Sequence, residues 1–170
     1  MRRFLLCAAV GLVAAVGFSG GSRAQAQTKD EQAIRALEDR FGAAFRAKDL
    51  DAIMKLYVPG GELFVFDVDP PRQHVGWEDY KKDWHDFLAG LKGPVQFDLS
   101  EFSVTTDGKL AYGHSIQHVT GTMQDGSPFD FTVRVTDDYR KIDGKWLIAQ
   151  EHVSVPVDLT TGKGDLMSKP

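Results

Sequence analysis

FDFTVRVTDDYRKIDGKWLIAQEHVSVPV, residues 129–157, decides how this chain is read. Taken at every second position, Phe129, Phe131, Val133, Val135, Asp137 and Tyr139 form an apolar series broken by one acid. The return stretch Leu147, Ala149, Glu151, Val153 and Val155 repeats the pattern. Strand side chains alternate between faces, so each series lies on one side of a sheet. A carboxylate in an apolar setting must be paired, solvated or protonated, and such groups gather in functional pockets. The two acids therefore point to a cavity rather than a solid core. The connection decides whether they share a face. Ile142-Asp143-Gly144 suits a three-residue loop with a left-handed glycine, which makes Asp137 and Glu151 neighbours; a two-residue Asp143-Gly144 turn would put them on opposite sides.

Working outward, everything after Pro94 reads as strand. Segments 95–106, 109–122, 128–141 and 145–157 are separated by Asp107-Gly108, Asp125-Gly126-Ser127 and Asp143-Gly144, three hairpin signals. Before them come helices. Thr28-Lys29-Asp30-Glu31 is a capping box, followed by Ile34, Leu37, Phe41, Ala44 and Phe45 at helical spacing. Asp49 can cap a short second helix that stops at Pro59-Gly60-Gly61, and Glu62 to Val68 reads as a short strand. A third helix opens near Trp77 with Trp77, Tyr80, Trp84, Phe87 and Leu88 on one stripe. The expected fold is α+β: a cone-shaped, strongly curved, mainly antiparallel sheet with three helices on its concave side.

Residues 1–26 read as an export signal: Met1-Arg2-Arg3, an apolar run from Phe4 to Phe18, and Ala24-Gln25-Ala26 for cleavage. The apolar run is shorter than the roughly 18 residues of a spanning helix, so no stable membrane anchor is expected after cleavage. The expected location is periplasmic or secreted. Losing Arg2, Arg3 and Arg23 takes the formal charge from −4 to −7. An acidic domain without a basic stripe argues against nucleic acid as partner. Cys7, the single cysteine, departs with the signal, which excludes disulfides and thiol chemistry from residues 27–157. Residues 158–170 read as a polar, flexible tail.

Lys48-Asp49-Leu50-Asp51, Gly76-Trp77-Glu78-Asp79-Tyr80 and Asp143-Gly144-Lys145-Trp146-Leu147-Ile148 resemble the SnoaL-like, ketosteroid-isomerase-like group of the nuclear-transport-factor-2-like superfamily. Trp146 to Pro156 also resembles the association domain of calcium/calmodulin-dependent kinase II. The resemblance implies a conical pocket and cofactor-free chemistry. It maps the isomerase base onto Asp67 and its oxyanion-hole acid near Asp137. It maps the oxyanion-hole tyrosine onto Phe41, whose phenyl ring cannot donate to an enolate, so it argues against steroid isomerisation. Of the kinase domain's His-x-His only His152 remains, beside Gln150.

Asp67 is the first choice for chemistry, at the end of Leu63-Phe64-Val65-Phe66; the competing reading is a turn acid ahead of Pro70. Asp137, Glu151 and His114 are its candidate acid–base partners. Tyr112, His114, Ile116 and His118 share one strand face, placed toward the cavity; the histidines could instead bond a neighbouring strand or face solvent. At about 13 Å apart, His114 and His118 cannot hold one metal, and neither metal nor cofactor is expected. Phe41, Trp84, Tyr112, His118 and Val153 are the expected ligand contacts. Arg134, Trp146, Ile148 and His152 are placed on the outer sheet face as a homodimer interface. The expected function is binding of a small, largely apolar ligand, with isomerisation, dehydration or hydrolysis as the chemistry. The alternative is a non-catalytic sensing or assembly module acting through the outer face.

Overall fold

The computed structural model describes residues 28–167; the expected export signal lies outside them. Helix α1 spans Lys29–Ala47, α2 Leu50–Met54 and α3 Trp77–Ala89. The capping box forms as read: the Thr28 backbone donates to Glu31 Oε2 at 2.6 Å, and Glu31 N donates to Thr28 Oγ1 at 3.2 Å. Asp49 caps α2 by accepting from Ala52 N at 2.9 Å. The strands are β1 Phe64–Phe66, β2 His74–Val75, β3 Leu91–Thr106, β4 Leu110–Met123, β5 Pro128–Ile142 and β6 Lys145–Ser154. They make one six-stranded sheet in the order β2-β1-β6-β5-β4-β3. All neighbours are antiparallel except β1, which runs parallel to β6.

Curvature has a local cause. Strand β3 slips register twice against β4, between Lys92 and Gln96 and between Ser100 and Ser103, with Glu101 at φ 52°. Such irregularities bend a strand and raise its twist. The bent sheet wraps α1, which is tied to β3 by Arg46 Nη1 donating to the Phe97 carbonyl at 2.8 Å. Helix α1 lies close because position 42 is glycine: a Cβ there would sit 3.0 Å from the Phe97 ring. The core lies between helices and concave face, centred on Ile34, Leu37, Ile53, Met54, Val65 and Ile148. Burying such side chains contributes roughly 1.5–3 kcal/mol each.

The β5–β6 hairpin corrects the expected connection. Its loop is the two-residue Asp143-Gly144 turn, both residues at positive φ (49° and 78°), with Ile142 opposite Lys145. By itself this would separate the acids onto opposite faces. A bulge restores the match: between Asp138 and Tyr139 the register shifts, so that Tyr139 opposes Ile148 while Asp137 opposes Glu151. The additional residue is Ala149. Turn and bulge together put Asp137, Tyr139 and Glu151 on the inner face.

The same bulge corrects Trp146 and Ile148. Below it the even positions of β6 face inward, and both residues are buried, at 5 % and 1 % exposure. The Trp146 indole N–H donates to Asp30 Oδ1 at 3.0 Å, fastening β6 to the start of α1. They are core residues, not an outer interface; Arg134 and His152 do lie exposed. The segment read as a tail turns back as a hairpin, β7 Val157–Asp158 with β8 Lys163–Gly164. It meets the sheet where Thr132 N donates to the Leu166 carbonyl at 2.7 Å.

Candidate functional site: a carboxyl–tyrosine network on a cavity floor

Helices α1 and α3, the inner sheet face and the loop after β1 enclose a cavity of about 290 Å³. Phe41 and Phe45 from α1, Trp84 and Phe87 from α3, and Phe97 from β3 form its aromatic wall. Phe41 and Phe45 each meet Trp84 edge-on, with centroids at 5.7 Å and 5.5 Å, and Phe45 stacks on Phe87 at 6.0 Å. Val133 and Val153 complete the sheet side. Asp67, Asp69 and Asp83 stand among the lining residues, and Glu151 reaches the same space from β6.

Glu151 is 4 % exposed and accepts two tyrosine hydroxyls. Tyr57, which follows α2, donates to Oε2 at 2.8 Å, and Tyr80 on α3 donates to Oε1 at 2.6 Å. The Tyr80 oxygen also lies 3.3 Å from Asp67 Oδ2. A hydroxyl has one proton, and the shorter contact takes it. The Asp67–Tyr80 contact is thus completed when Asp67 carries a proton and donates, giving a path Asp67 to Tyr80 to Glu151. Burial pushes Asp67 upward in that direction, its carboxyl opposed also by Asp83.

Behind Glu151 the network continues inward. Asp137 is 3 % exposed, and its Oδ1 meets no donor among the described residues. That atom suits a protonated carboxyl lying against Glu151, its register partner. Burial, with Glu38 and Glu151 nearby, drives Asp137 well above the usual carboxylate range. Tyr139 sits 3.4 Å from Asp137 Oδ2 and donates to Glu38 Oε1 on α1 at 2.8 Å. Burial raises Glu38 to about 7 against the opposing Tyr139 bond. Burial likewise raises Glu151 to about 7, less than it would without its hydroxyl donors. All three tyrosine hydroxyls are held protonated far beyond neutrality, foremost by burial. The arrangement can accept, hold and return a proton at neutral pH.

Of the expected site residues, the structure brings Asp67, Glu151, Phe41, Trp84 and Val153 to the cavity, with Asp137 just behind it. It does not bring Tyr112, His114 or His118 there: these even positions of β4 face outward. Tyr112 is 58 % exposed, and His118 Nε2 lies 2.8 Å from Asp130 on the neighbouring strand. The inward side of β4 is Ala111, Gly113, Ser115, Gln117 and Val119. Four participants escaped the sequence reading: Glu38, Tyr57, Tyr80 and Tyr139. Glu38 left a signal, since it falls on the same helical stripe as Ile34, Leu37 and Phe41. Among the described residues no cluster of three or more His, Cys, Asp or Glu side chains could hold a metal ion.

A SnoaL-like domain model matches residues 34–158, which include every residue of this network. The chain belongs to the SnoaL-like family. Among solved structures, this SnoaL-like chain resembles a nuclear-transport-factor-2-like protein of unknown function from Pseudomonas putida. They share 29% identity over 85% of this chain and 99% of the other, with a TM-score of 0.76. A provisionally assigned calcium/calmodulin-dependent protein kinase II association domain from Xanthomonas campestris shares 24% identity. That match covers 76% of this chain and 89% of the other, with a TM-score of 0.64. A provisionally assigned scytalone dehydratase from Novosphingobium aromaticivorans shares the fold at 13% identity and a TM-score of 0.67, covering 83% and 95%. No curated protein matches the sequence.

Proposed function

We propose that this SnoaL-like domain binds a small, largely apolar molecule in its cavity and moves a proton on it without a cofactor. The observation that carries the reading is Glu151: a carboxyl on the floor of an aromatic cavity, held by two tyrosine hydroxyls and raised to about 7. A general acid–base works best with its pKa near the ambient pH, and an aromatic cavity excludes the water that would compete. As carboxylate, Glu151 takes a proton from the bound molecule; Tyr80 and Asp67 link that floor to the cavity mouth. Isomerisation returns that proton to another atom of the molecule, and dehydration returns it to a hydroxyl whose C–O bond breaks as water leaves. Asp67 keeps a catalytic role in the proposal, as the mouth-side partner of Glu151 rather than the sole base.

Two further parts of the reading rest on other features. Export rests on the basic, apolar and small-residue pattern of residues 1–26. A homodimer rests on the outer sheet face, where Leu110 and Tyr112 are each 58 % exposed and Arg134 and His152 lie on neighbouring strands.

Native mass spectrometry of the protein purified gently from the exported fraction tests the central claim. A reproducible extra mass is expected, and Val153→Trp, which fills the cavity from β6, is expected to remove it while leaving the fold intact. An extra mass that survives in the filled variant, or an empty native protein, would overturn the cavity as the binding site.

A further inference from the structure

We infer that the cavity is built for an organic cation: a molecule with a flat apolar body and one protonated amine. The inference rests on the reading of the cavity as a ligand site and names the class of its ligand. Three observations carry it together.

The first is the sign of the charge around the cavity. Asp67, Asp69 and Asp83 line it toward the mouth, and Glu151 lines its floor. No lysine or arginine is among the lining residues. A fifth lining acid, Asp86, is already occupied by Lys82 at 2.6 Å and by His85 at 3.1 Å. Among the described residues the ion-pair partner of Asp83 is His74, at 3.7 Å. Asp67 has a tyrosine hydroxyl and the backbone of Val68. Asp67, Asp69 and Asp83 therefore face the empty space with no lysine or arginine among the lining residues to balance them when they ionise.

The second is their mutual repulsion. Burial chiefly raises Asp67 and Asp83; beyond it Asp83 and Asp69 each push Asp67 upward, and Asp69 pushes Asp83 upward against the lowering by His74. A positive ligand between them relieves that repulsion, whereas a carboxylate ligand would add to it. The third is the wall. Phe41, Phe45, Phe97 and Trp84 present ring faces and edges to the same space. Aromatic faces attract a cation, most strongly where water is excluded, and they accept a flat apolar body equally well. A neutral hydrocarbon would use the walls and leave the acids unbalanced. An ammonium group tethered to an aromatic ring uses both.

The test compares three molecules that share an indole ring and differ at the tail: tryptamine, tryptophol and indole-3-acetate. Each is titrated into the purified protein by isothermal calorimetry at neutral pH. The expected order is tryptamine tightest, tryptophol roughly tenfold weaker, and indole-3-acetate weaker again. In the double variant Asp67→Asn, Asp83→Asn the ratio of tryptamine to tryptophol affinity is expected to fall to about one while tryptophol still binds. That second readout separates lost charge from a damaged cavity. Equal binding of amine and alcohol in the native protein would overturn the cation inference and leave the cavity reading standing. Tighter binding of the acetate would do the same. Binding of none of the three, with a fold confirmed by circular dichroism, would overturn both.

Discussion

At the residue scale the site turns on a balance at Glu151. Burial opposes its charge, and the hydroxyls of Tyr57 and Tyr80 favour it. Neither influence alone leaves a carboxyl near 7: burial unopposed would hold it neutral, and two donors in water would hold it ionised. Because Tyr80 makes the shorter bond, at 2.6 Å, its removal is expected to move the balance furthest. Tyr80→Phe should raise the Glu151 titration midpoint above 7 and destabilise the fold by about 1–3 kcal/mol, the cost of leaving a buried acceptor short of one donor. Carbon-13 NMR of the glutamate carboxyls reads the midpoint directly. A midpoint that stays put in the variant would mean that the hydroxyl does not hold the charge.

At the scale of elements, the hairpin β5–β6 shows how a turn and a bulge act as one device. The tight turn sets one parity and Ala149 resets it, so that Ile148 and Glu151 both point inward although they stand three positions apart. Deleting Ala149 removes the bulge but keeps Ile148 and Glu151 on the inner face, because the strand then alternates regularly from one to the other. Deleting Leu147 instead sends Ile148, now 1 % exposed, toward solvent. The first deletion is expected to give a folded protein weakened by about 1–2 kcal/mol, and the second an unfolded one, since it exposes a core side chain and places a small one inside. Urea denaturation followed by tryptophan fluorescence distinguishes them; equal stability of the two would contradict the parity argument.

This hairpin also marks the limit of what the sequence makes legible. The helices, the meander and the two acids follow from capping, periodicity and acids standing among apolar residues. The bulge does not, because one surplus small residue leaves no trace in an alternating pattern. Strand β4 misleads for a related reason. Its inward face is mostly small or polar and meets the cavity at Gln117 and Val119, while its outward face carries Tyr112 and Ile116. A rule that sends oil inward fails where the interior is a cavity. Tyr80 reads as a stripe residue and Tyr139 as one of an alternating apolar series, since hydropathy does not say where a hydroxyl points.

At the scale of the whole molecule, Glu38 on α1, Asp137 on β5 and Glu151 on β6 bring carboxyls from three elements into one buried group. Facing them are the Tyr57, Tyr80 and Tyr139 hydroxyls and Asp67; no lysine, arginine or histidine is bonded to them among the described residues. Glu38 and Glu151 are raised from 4.5 to about 7, and Asp137 is raised as well. The folded chain thus holds protons that the unfolded chain releases above about 4.5. Their contribution is complete below that value and is lost as pH rises toward about 7, by roughly 3 kcal/mol at most for each glutamate, shared because the groups interact. The half-buried Asp30 and the exposed Asp107 and Asp125 act oppositely and at lower pH: they are lowered by their hydrogen bonds, so their contribution fades as pH falls through the acidic range. Stability should therefore peak near pH 5 and decline toward pH 8. Glu38→Gln keeps an acceptor for Tyr139 and removes one of the buried charges, so it should stabilise the protein at pH 8, change little at pH 5, and flatten the profile between them. Urea midpoints at pH 5, 6, 7 and 8 measure both curves. A native protein more stable at pH 8 than at pH 5 would mean that the three carboxyls stay ionised, and would remove the proton store on which the proposed chemistry depends.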